Sequence, residues 1–391
     1  MRRTLLIFAL ILIVTGAQAC KTKEEAGAGE TMKRDSTASA SNVNAQGADP
    51  SFRNAGLPGG GKVFKGTIDY KYKIQMTLRR DGNDLTGSYF YTNKRTEIAL
   101  KGSVDSGGNL TLKETDANGA QTGTFKGKWT EKPEGVELEG TWTKPNSKDE
   151  LSFYLTEQHV EFTADWKITT KQIKEENKQR RFTIDVEYPQ IEGSDNENVK
   201  QFNQQISSLV IKAVNEWKQG AGAQAGEEDT MPEAEDDAYD SGYNIEFAND
   251  DIVSVIIDTS IYEHGAAHPN SASETFNYDL KSGKPIKLSD VFKPGAQYIK
   301  KLSEYCIADL KKQARQDNPE EPMLNDDEIE TGAAPEAENY SRWNITKKGL
   351  LITFDAYQVG PYAAGPQMVL VPYSALKDTI NPNGPAAPFL K

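Results

Sequence analysis

The chain has 391 residues and a formal net charge of −13, with 37% hydrophobic and 26% charged residues. This length accommodates two or three domains, and the hydrophobic fraction can build packed cores. The acidic balance argues against nucleic acid as a partner, because proteins that bind it present basic surfaces to the phosphates. A basic protein partner is compatible with this charge.

Residues 1–19 have the features of a secretory signal peptide. Two arginines precede an unbroken apolar run, Leu5–Val14, which is shorter than the ~20 apolar residues that span a bilayer. The sequence Ala-Gln-Ala-Cys that ends at Cys20 resembles the cleavage site of bacterial lipoproteins. This resemblance implies a lipid on the Cys20 thiol that anchors the chain in the cell envelope. The alternative is plain secretion, with cleavage after Ala19.

Residues 20–61 are rich in small and charged residues and contain almost no large apolar side chains, a composition that predicts a disordered tether. Residues 62–157 then alternate between polar and apolar side chains, with the turn sequences DGND, DSGG, DANG and KPEG between the alternating runs. This pattern predicts seven or eight antiparallel strands that close into a barrel-like sheet.

A glycine recurs two positions before an aromatic residue in this region, in Gly87-Ser88-Tyr89, Gly127-Lys128-Trp129 and Gly140-Thr141-Trp142. Two interpretations stay open. The aromatic side chains can form the core of the barrel, or they can line a cup that carries a small molecule.

Residues 162–270 and 271–380 are predicted to be the two halves of an α/β module, followed by a tail at 381–391. Apolar residues at three- and four-residue steps predict helices over Asn198–Trp217 and Gly295–Gln313. The β-branched run Ile252–Tyr262 predicts a strand in the centre of its sheet. The predicted fold class is α+β: an N-terminal antiparallel β-barrel-like meander, then an α/β module of mixed sheet plus two main helices.

Two segments concentrate the acidity of the chain. Gly220–Gly242 holds eight acidic residues and Asp317–Glu338 holds nine, and neither segment contains a lysine or arginine. Such runs predict solvated loops. The alternative is an electrostatic attraction for a basic partner.

Two loops are the candidate site. YEHGAAHPN (Tyr262–Asn270) holds two of the three histidines of the chain, and VGPYAAGPQ (Val359–Gln367) holds two glycines and two prolines. Glycine and proline fix an unusual loop conformation, which lowers the entropy lost on binding. An aromatic residue on such a loop suits recognition of a protein or a glycan. The partner-binding candidates are His268, His264, Tyr357, Tyr362, Gly360, Pro361, Gly365 and Pro366.

The histidine pair also raises the question of a metal site. Histidines four residues apart suit zinc when they share one face of a helix. Here Gly265 and Pro269 predict a strand end and loop instead, and His159, the remaining histidine, lies about a hundred residues earlier. We therefore predict no metal and no cofactor, and a hydrogen-bonded histidine near Tyr357 or Tyr362.

Residues that could carry catalysis are sparse, and we predict no catalytic residue. There is no G-x-S-x-G motif. Cys306 has helical spacing with Leu302 and Leu310, which predicts a buried side chain and not a nucleophile. Four aspartates could pair their carboxylates, but each is predicted at a strand end or in a turn, where aspartate is common: Asp258, Asp279, Asp290 and Asp355.

The motifs EHGAAHPN, FNYDLKSGKPIKLSDVFKPG and FDAYQVGPYAAGPQ lie within Phe162–Lys377. In them this part of the chain resembles the extracytoplasmic region of the RsiV family. RsiV-like proteins are anti-sigma factors whose outer domain receives lysozyme. The same pair of domains precedes the catalytic domain of PdaC-type peptidoglycan deacetylases. The sequence contains no sigma-binding segment and no deacetylase metal motif, so neither activity is implied.

The resemblance implies a binding or sensor module in the cell envelope. In the family a histidine stands at the position of His268, whereas the position of His264 is more variable. The implied partner is a basic envelope or host protein such as a lysozyme, or a peptidoglycan fragment. The alternative is a peptidoglycan-modifying enzyme or its accessory subunit.

Overall fold

The computed structural model describes residues 61–94, 96–133, 135–221, 236–317 and 322–390. The predicted signal peptide, Cys20 and all of the predicted tether except Gly61 lie outside these ranges, as does the middle of the first acidic segment. Among the described helices, none has both the length and the apolar character needed to cross a membrane.

Eight antiparallel strands form a closed barrel in the first part of the chain. Each strand pairs with the next, and the last pairs with the first, so the predicted antiparallel meander is confirmed. The strands are β1 Lys62–Ile68, β2 Tyr72–Asp81, β3 Asp84–Tyr91, β4 Ile98–Val104, β5 Asn109–Thr115, β6 Gln121–Glu131, β7 Val136–Thr143 and β8 Glu150–Gln158.

The interior of the barrel is filled by side chains. Tyr89 and Trp129 are buried there, and the ring of Phe125 packs edge-to-face on Tyr89 and Phe153, with centroids 5.4 and 5.2 Å apart. The aromatic residues that follow the glycines are thus core residues at these two positions. Gly87 has a steric role in the same pattern, because a Cβ there would lie 1.9 Å from the carbonyl oxygen of Thr77 on the paired strand.

A six-stranded sheet follows, in the order β14-β13-β12-β11-β10-β9. The β10–β11 pair is parallel and the other pairs are antiparallel, so the predicted mixed sheet is confirmed. The β-branched strand is central, as predicted. The strands are β9 Lys167–Asn177, β10 Phe182–Glu192, β11 Asp237–Ala248, β12 Ile252–Tyr262, β13 Asn270–Asp279 and β14 Lys284–Pro285.

The last three described strands form an antiparallel sheet. They are β15 Trp343–Ile345, β16 Gly349–Phe354 and β17 Gln367–Pro372. The helices are α1 Glu197–Gly220, α2 Tyr298–Asp317, α3 Asp326–Gly332 and α4 Tyr373–Leu376. Helix α1 packs on the six-stranded sheet, where Phe202 meets the ring of Tyr278 at 5.5 Å. Helix α2 packs on the three-stranded sheet and buries Leu302, Cys306 and Leu310.

The second acidic segment is not a loop throughout, so that prediction was wrong for residues 326–332, which form α3. The Asn325 side chain accepts a hydrogen bond from the Glu328 N–H at 2.8 Å and begins the helix. Acidic residues are favourable in a first helical turn, here Asp326, Asp327 and Glu328. Lys311 of α2 compensates two acidic residues of this helix, with Nζ 2.5 Å from Glu330 and 3.4 Å from Asp326.

Side-chain amides join the two sheets of the module. Asn344 of β15 donates to the Ser254 hydroxyl at 2.9 Å and to the Val255 carbonyl at 3.0 Å, both on β12. Asn277 of β13 donates to the Trp343 carbonyl at 2.8 Å. These contacts hold β15 against β12 and β13, and β15 in turn pairs with β16. The predicted division at residue 270 falls between two paired strands of one sheet, and the domain division stays a prediction.

Candidate functional site

The two loops singled out in the sequence meet in the structure. We call residues 263–269, between β12 and β13, the histidine loop, and residues 355–366, between β16 and β17, the tyrosine loop. The ring of His268 stacks on the ring of Tyr362, with centroids 3.9 Å apart and planes 20° apart. The Tyr362 hydroxyl donates a hydrogen bond to the Pro269 carbonyl. The predicted placement of a histidine beside Tyr362 therefore matches the observed geometry.

The tyrosine loop is fixed by its own backbone. Tyr362–Ala364 form one turn of 3-10 helix after Pro361, and the N–H of Gly365 donates to the Tyr362 carbonyl at 2.9 Å. Gly365 has φ of +66°, a conformation that favours glycine. The side-chain amide of Gln367 then donates to the Ala364 carbonyl at 2.6 Å. Proline and glycine thus set the shape of this loop, as the sequence predicts.

Gln358 ties the tyrosine loop to the segment that contains α3. Its side-chain N–H groups donate to the carbonyls of Gly332 and Asn339, both at 3.1 Å, and its side-chain oxygen accepts from the Asp355 N–H at 3.3 Å. The backbones approach closely here, because a Cβ at Gly332 would lie 1.8 Å from the Gln358 carbonyl oxygen. Sequence analysis missed Gln358.

Tyr357 is the exposed aromatic residue of the loop, with 66% of its surface open to solvent. Its ring lies 5.4 Å from that of Tyr362, at a tilt of 37°. The backbone of Tyr357 has φ of +71°, a conformation that costs a residue with a Cβ roughly 1–3 kcal/mol. His268, Tyr362 and Tyr357 thus form a continuous aromatic surface, which we call the two-loop face.

His264 is not part of the two-loop face. Its backbone N–H donates to Asp237 at 2.7 Å, and the residue lines a different cavity with Trp217 and Ala221 at the end of α1. Of the two histidines, the structure therefore brings only His268 to the other candidate loop. The remaining candidates, Gly360, Pro361, Gly365 and Pro366, belong to the tyrosine loop.

Ser273 brings two carboxylates together near the loops: Asp355 begins the tyrosine loop, whereas Asp258 lies within β12 and not at a strand end or turn as predicted. Ser273 joins them: its backbone N–H donates to Asp355 at 3.0 Å, and its hydroxyl donates to Asp258 at 2.9 Å. The guanidinium Nε of Arg342 lies 3.5 Å from the other Asp355 oxygen. The sequence marks both aspartates as possible members of a pair, but strand register and the inter-sheet contacts decide that these two come together.

Charge is compensated unequally between the two carboxylates. Asp355 has Arg342 as a counter-ion, whereas among the described residues Asp258 makes no ion pair. The pKa of Asp258 is raised above its ordinary value, chiefly because the protein around it displaces water from the carboxylate and further because the Asp355 carboxylate is near. The hydrogen bond from Ser273 opposes this shift. The residue nevertheless keeps surface open to solvent. The site can therefore accept hydrogen bonds and attract a cation.

Neither a metal nor a nucleophile is supported in the part of the chain that the structure describes. Within those ranges no group of three or more histidine, cysteine, aspartate or glutamate side chains could hold a metal ion. Cys306 is buried, as predicted, and burial raises the pKa of its thiol, which makes it a poor nucleophile.

Two family models match the chain, in adjacent segments. The model described as deacetylase PdaC matches residues 175–271 and includes the histidine loop. The model described as a protein of unknown function, DUF3298, matches residues 289–374 and includes the tyrosine loop. The chain thus carries a PdaC-like and a DUF3298 domain, and each contributes one of the two loops. The β-barrel precedes both.

The similarity to two named proteins covers about a third of this chain. The Bacillus subtilis peptidoglycan-N-acetylmuramic acid deacetylase PdaC is 34% identical over 116 residues, which is 30% of this chain and 24% of that protein. The immunogenic protein MPT64 of Mycobacterium tuberculosis is 26% identical over 117 residues, 30% of this chain and 47% of that protein. The match thus spans about a quarter and about half of the length of these relatives.

Solved structures of the DUF3298 family are similar to this chain over more than half its length. A member from Bacteroides fragilis has 18% identity and a TM-score of 0.44, over 59% of this chain and 98% of that chain. A Pseudomonas aeruginosa member has 14% identity and a TM-score of 0.39, over 55% of this chain and 95% of that one.

Proposed function

We propose that this protein is a cell-wall-associated binding protein outside the cytoplasm, and that its two-loop face recognises a peptidoglycan-derived glycan. The PdaC-like domain supports an association with peptidoglycan, since the named relative acts on peptidoglycan N-acetylmuramic acid. The predicted signal peptide and lipid attachment at Cys20 agree with such a location.

The observation that carries this proposal is the ring stack of His268 and Tyr362 with the exposed Tyr357 beside it. Aromatic faces offer large apolar contact area with few rotatable bonds, and a sugar ring presents C–H groups that can lie on them. The carboxylate of Asp355 accepts hydrogen bonds and suits the hydroxyl groups of a sugar. A loop already fixed in shape loses little entropy on binding.

Calorimetry of the purified chain with muropeptides tests this proposal. We expect Tyr357→Ala and His268→Ala each to weaken binding about tenfold, the effect of ~1.4 kcal/mol. Tyr70→Ala is the matched control, because Tyr70 is a tyrosine of the barrel that is 85% exposed and, like Tyr357, has a positive φ. Equal affinities of Tyr357→Ala and Tyr70→Ala would contradict the proposal.

The second candidate is a protein ligand, namely a basic enzyme such as a lysozyme. The net charge of −13 favours encounter with a basic protein, and an exposed tyrosine on a fixed loop suits a protein interface. The same calorimetry with lysozyme at low and moderate salt separates the candidates. Binding of lysozyme without binding of muropeptides would replace the glycan proposal with this one.

The third candidate is catalysis on peptidoglycan, which the Asp258–Ser273–Asp355 arrangement favours. Incubation of the chain with purified sacculi would detect released products. We expect none. Turnover that is lost in Asp355→Asn and in His268→Ala would establish an enzyme in place of a binding protein.

A further inference from the structure

A second concave site lies where the barrel and both sheets come together. It is a cleft of about 260 Å³. Its apolar walls come from Val136 and Tyr154 of the barrel, Ile256 of β12, and Leu351 and Met368 of the three-stranded sheet. Pockets for whole drug-sized ligands usually have ~300–1,000 Å³, so the size of this cleft suits a single side chain.

The polar part of the lining is acidic. Glu137, Glu157, Glu246 and Asp258 all line the cleft. Two of these carboxylates already have lysine partners: Lys132 lies 2.7 Å from Glu137, and Lys62 lies 2.5 Å from Glu157. Asp258 has the Ser273 hydroxyl as its donor, and within the described ranges no lysine or arginine pairs with it. The lining also holds His159, 3.9 Å from Glu157. Asp258 thus contributes a carboxylate that has no basic partner within the described ranges.

Two polar side chains in the wall have bonding capacity left over. Thr353 is 1% exposed, and its hydroxyl makes no hydrogen bond with any described residue. Asn244 accepts hydrogen bonds at its side-chain oxygen from Thr156 at 3.0 Å and from Gln158 at 2.9 Å. This fixes the orientation of the Asn244 amide, whose N–H groups make no hydrogen bond within the described residues. An unpartnered buried hydroxyl is unfavourable unless a ligand satisfies it.

We propose that this cleft binds an aminoalkyl side chain, the chemistry of lysine, carried on a peptide. The alkyl stem fits the apolar walls, as lysine stems do on protein surfaces. The ammonium group has three N–H donors and no acceptor, which matches the carboxylate of Asp258, and Glu246 also lines the cleft. This cleft is a different site from the proposed glycan-binding face, although Pro366 of the tyrosine loop also lines the cleft.

The two probes that test the cleft are Nα-acetyl-lysine amide and Nα-acetyl-norleucine amide, which share the alkyl stem and differ in the ammonium group. NMR titration of the full chain should show saturable binding of the lysine probe only. Asp258→Asn and Glu246→Gln should each weaken this binding about tenfold. Asp195→Asn is the control, because Asp195 is exposed ahead of α1 and does not line the cleft.

Equal binding of both probes, no binding of either, or equal effects of Asp258→Asn and Asp195→Asn would overturn the proposal. Urea unfolding of each variant identifies loss of fold, and Glu246→Gln gives a second reading if Asp258→Asn is unstable. Tyr357→Ala should leave binding of the lysine probe unchanged, so that failure of the cleft and failure of the two-loop face give different results.

The same chemistry can come from a muropeptide with a free side-chain amine or from a lysine of a basic protein. Parallel titrations with such a muropeptide and with lysozyme distinguish these sources. The ligand that uses the cleft should bind Asp258→Asn more weakly than the native chain. Acetylation of the amines of that ligand should weaken its binding to the native chain and remove the difference between the native chain and Asp258→Asn. Insensitivity of both ligands to Asp258→Asn would count against the cleft as a site for either.

Discussion

Lys65 is a buried residue at the contact between the barrel and the six-stranded sheet. Its Nζ lies 3.3 Å from the centroid of the Tyr243 ring and 3.8 Å from a Glu187 carboxylate oxygen. Burial lowers the pKa of Lys65 to about 8, because the partial compensation by Glu187 does not replace the lost water. A charge at this contact makes the stability of the fold depend on pH.

We expect Lys65 to raise the free energy of unfolding between pH 8 and pH 9.5, relative to a variant that lacks this lysine. In this range the unfolded lysine, with a pKa of 10.5, holds a proton that the folded one, with a pKa of about 8, has begun to release. The unfolded state therefore binds more protons, and stability rises by at most ~1.4 kcal/mol per pH unit.

Urea unfolding at pH 7.5, 8.5 and 9.5 measures this dependence. The double variant Lys65→Met/Glu187→Gln removes both charges, and the difference in free energy of unfolding between the native chain and this variant should increase with pH. Cys306 and the buried tyrosines oppose the rise in both proteins, because burial raises their pKa and the unfolded groups ionise first. Since these groups are the same in both proteins, the difference reports on Lys65. The same pH dependence in both proteins would refute the assignment to Lys65.

Cys306 gives a second prediction for a single side chain. It is fully buried in α2, and its thiol pKa is raised by burial and by the nearby Asp309. We expect iodoacetamide to leave Cys306 unmodified in the native chain and to modify it fully in urea. Mass spectrometry of the peptide that contains Cys306 reads out the difference. Rapid native labelling would show that α2 opens readily.

Several secondary-structure elements could be predicted from their own residues. The apolar spacing of α1 predicts a helix and the β-branched residues of β12 predict a strand, in each case from the local sequence. The glycines and prolines of the tyrosine loop likewise predict a loop of fixed conformation. Strand β9 has no such local signal over most of its length, because its lysines and glutamates leave no continuous apolar face. Such charges are common on an edge strand, where they discourage pairing with another chain.

The contact between the two loops could not be predicted in the same way. It depends on Asn344 and Asn277, whose hydrogen bonds run between sheets and involve residues far apart in the chain. For the same reason the sequence names Asp258 and Asp355 without indicating that Ser273 bridges them. Helix α3 was missed because its acids were interpreted as a loop, whereas Asn325 and Lys311 make a helix favourable.

The close packing of α3 against the tyrosine loop predicts a strong effect of Gly332→Ala. The new Cβ would lie 1.8 Å from the backbone oxygen of Gln358, so the loop must move, and a local repacking of this kind costs ~1–3 kcal/mol. Thermal unfolding and calorimetry with muropeptides should both show the loss. Gly220→Ala is the control, since a Cβ there has no atom within 4 Å. Equal behaviour of the two variants would contradict the proposed coupling.

The whole molecule joins a barrel to a two-sheet α/β module through a polar contact region. Backbone bonds run from His159 to Ile245, and the Gln158 side chain accepts from the Ile245 N–H at 2.8 Å. The barrel thereby supplies one wall of the acidic cleft, while the two sheets supply the two-loop face. The fold class was predictable because its strands and helices have clear local patterns. The way they assemble into two concave sites rests on contacts between distant residues.

The proposed recognition of a peptidoglycan-derived glycan is tested most directly by NMR of the full chain with a defined muropeptide. Selective labels on tyrosine and histidine rings report on the two-loop face and on the barrel at once. We predict saturable shifts of Tyr357, Tyr362 and His268, with Tyr70 of the barrel unchanged. Binding that shifts Tyr70 and leaves the two-loop face unchanged, or no binding at all, would contradict the proposal.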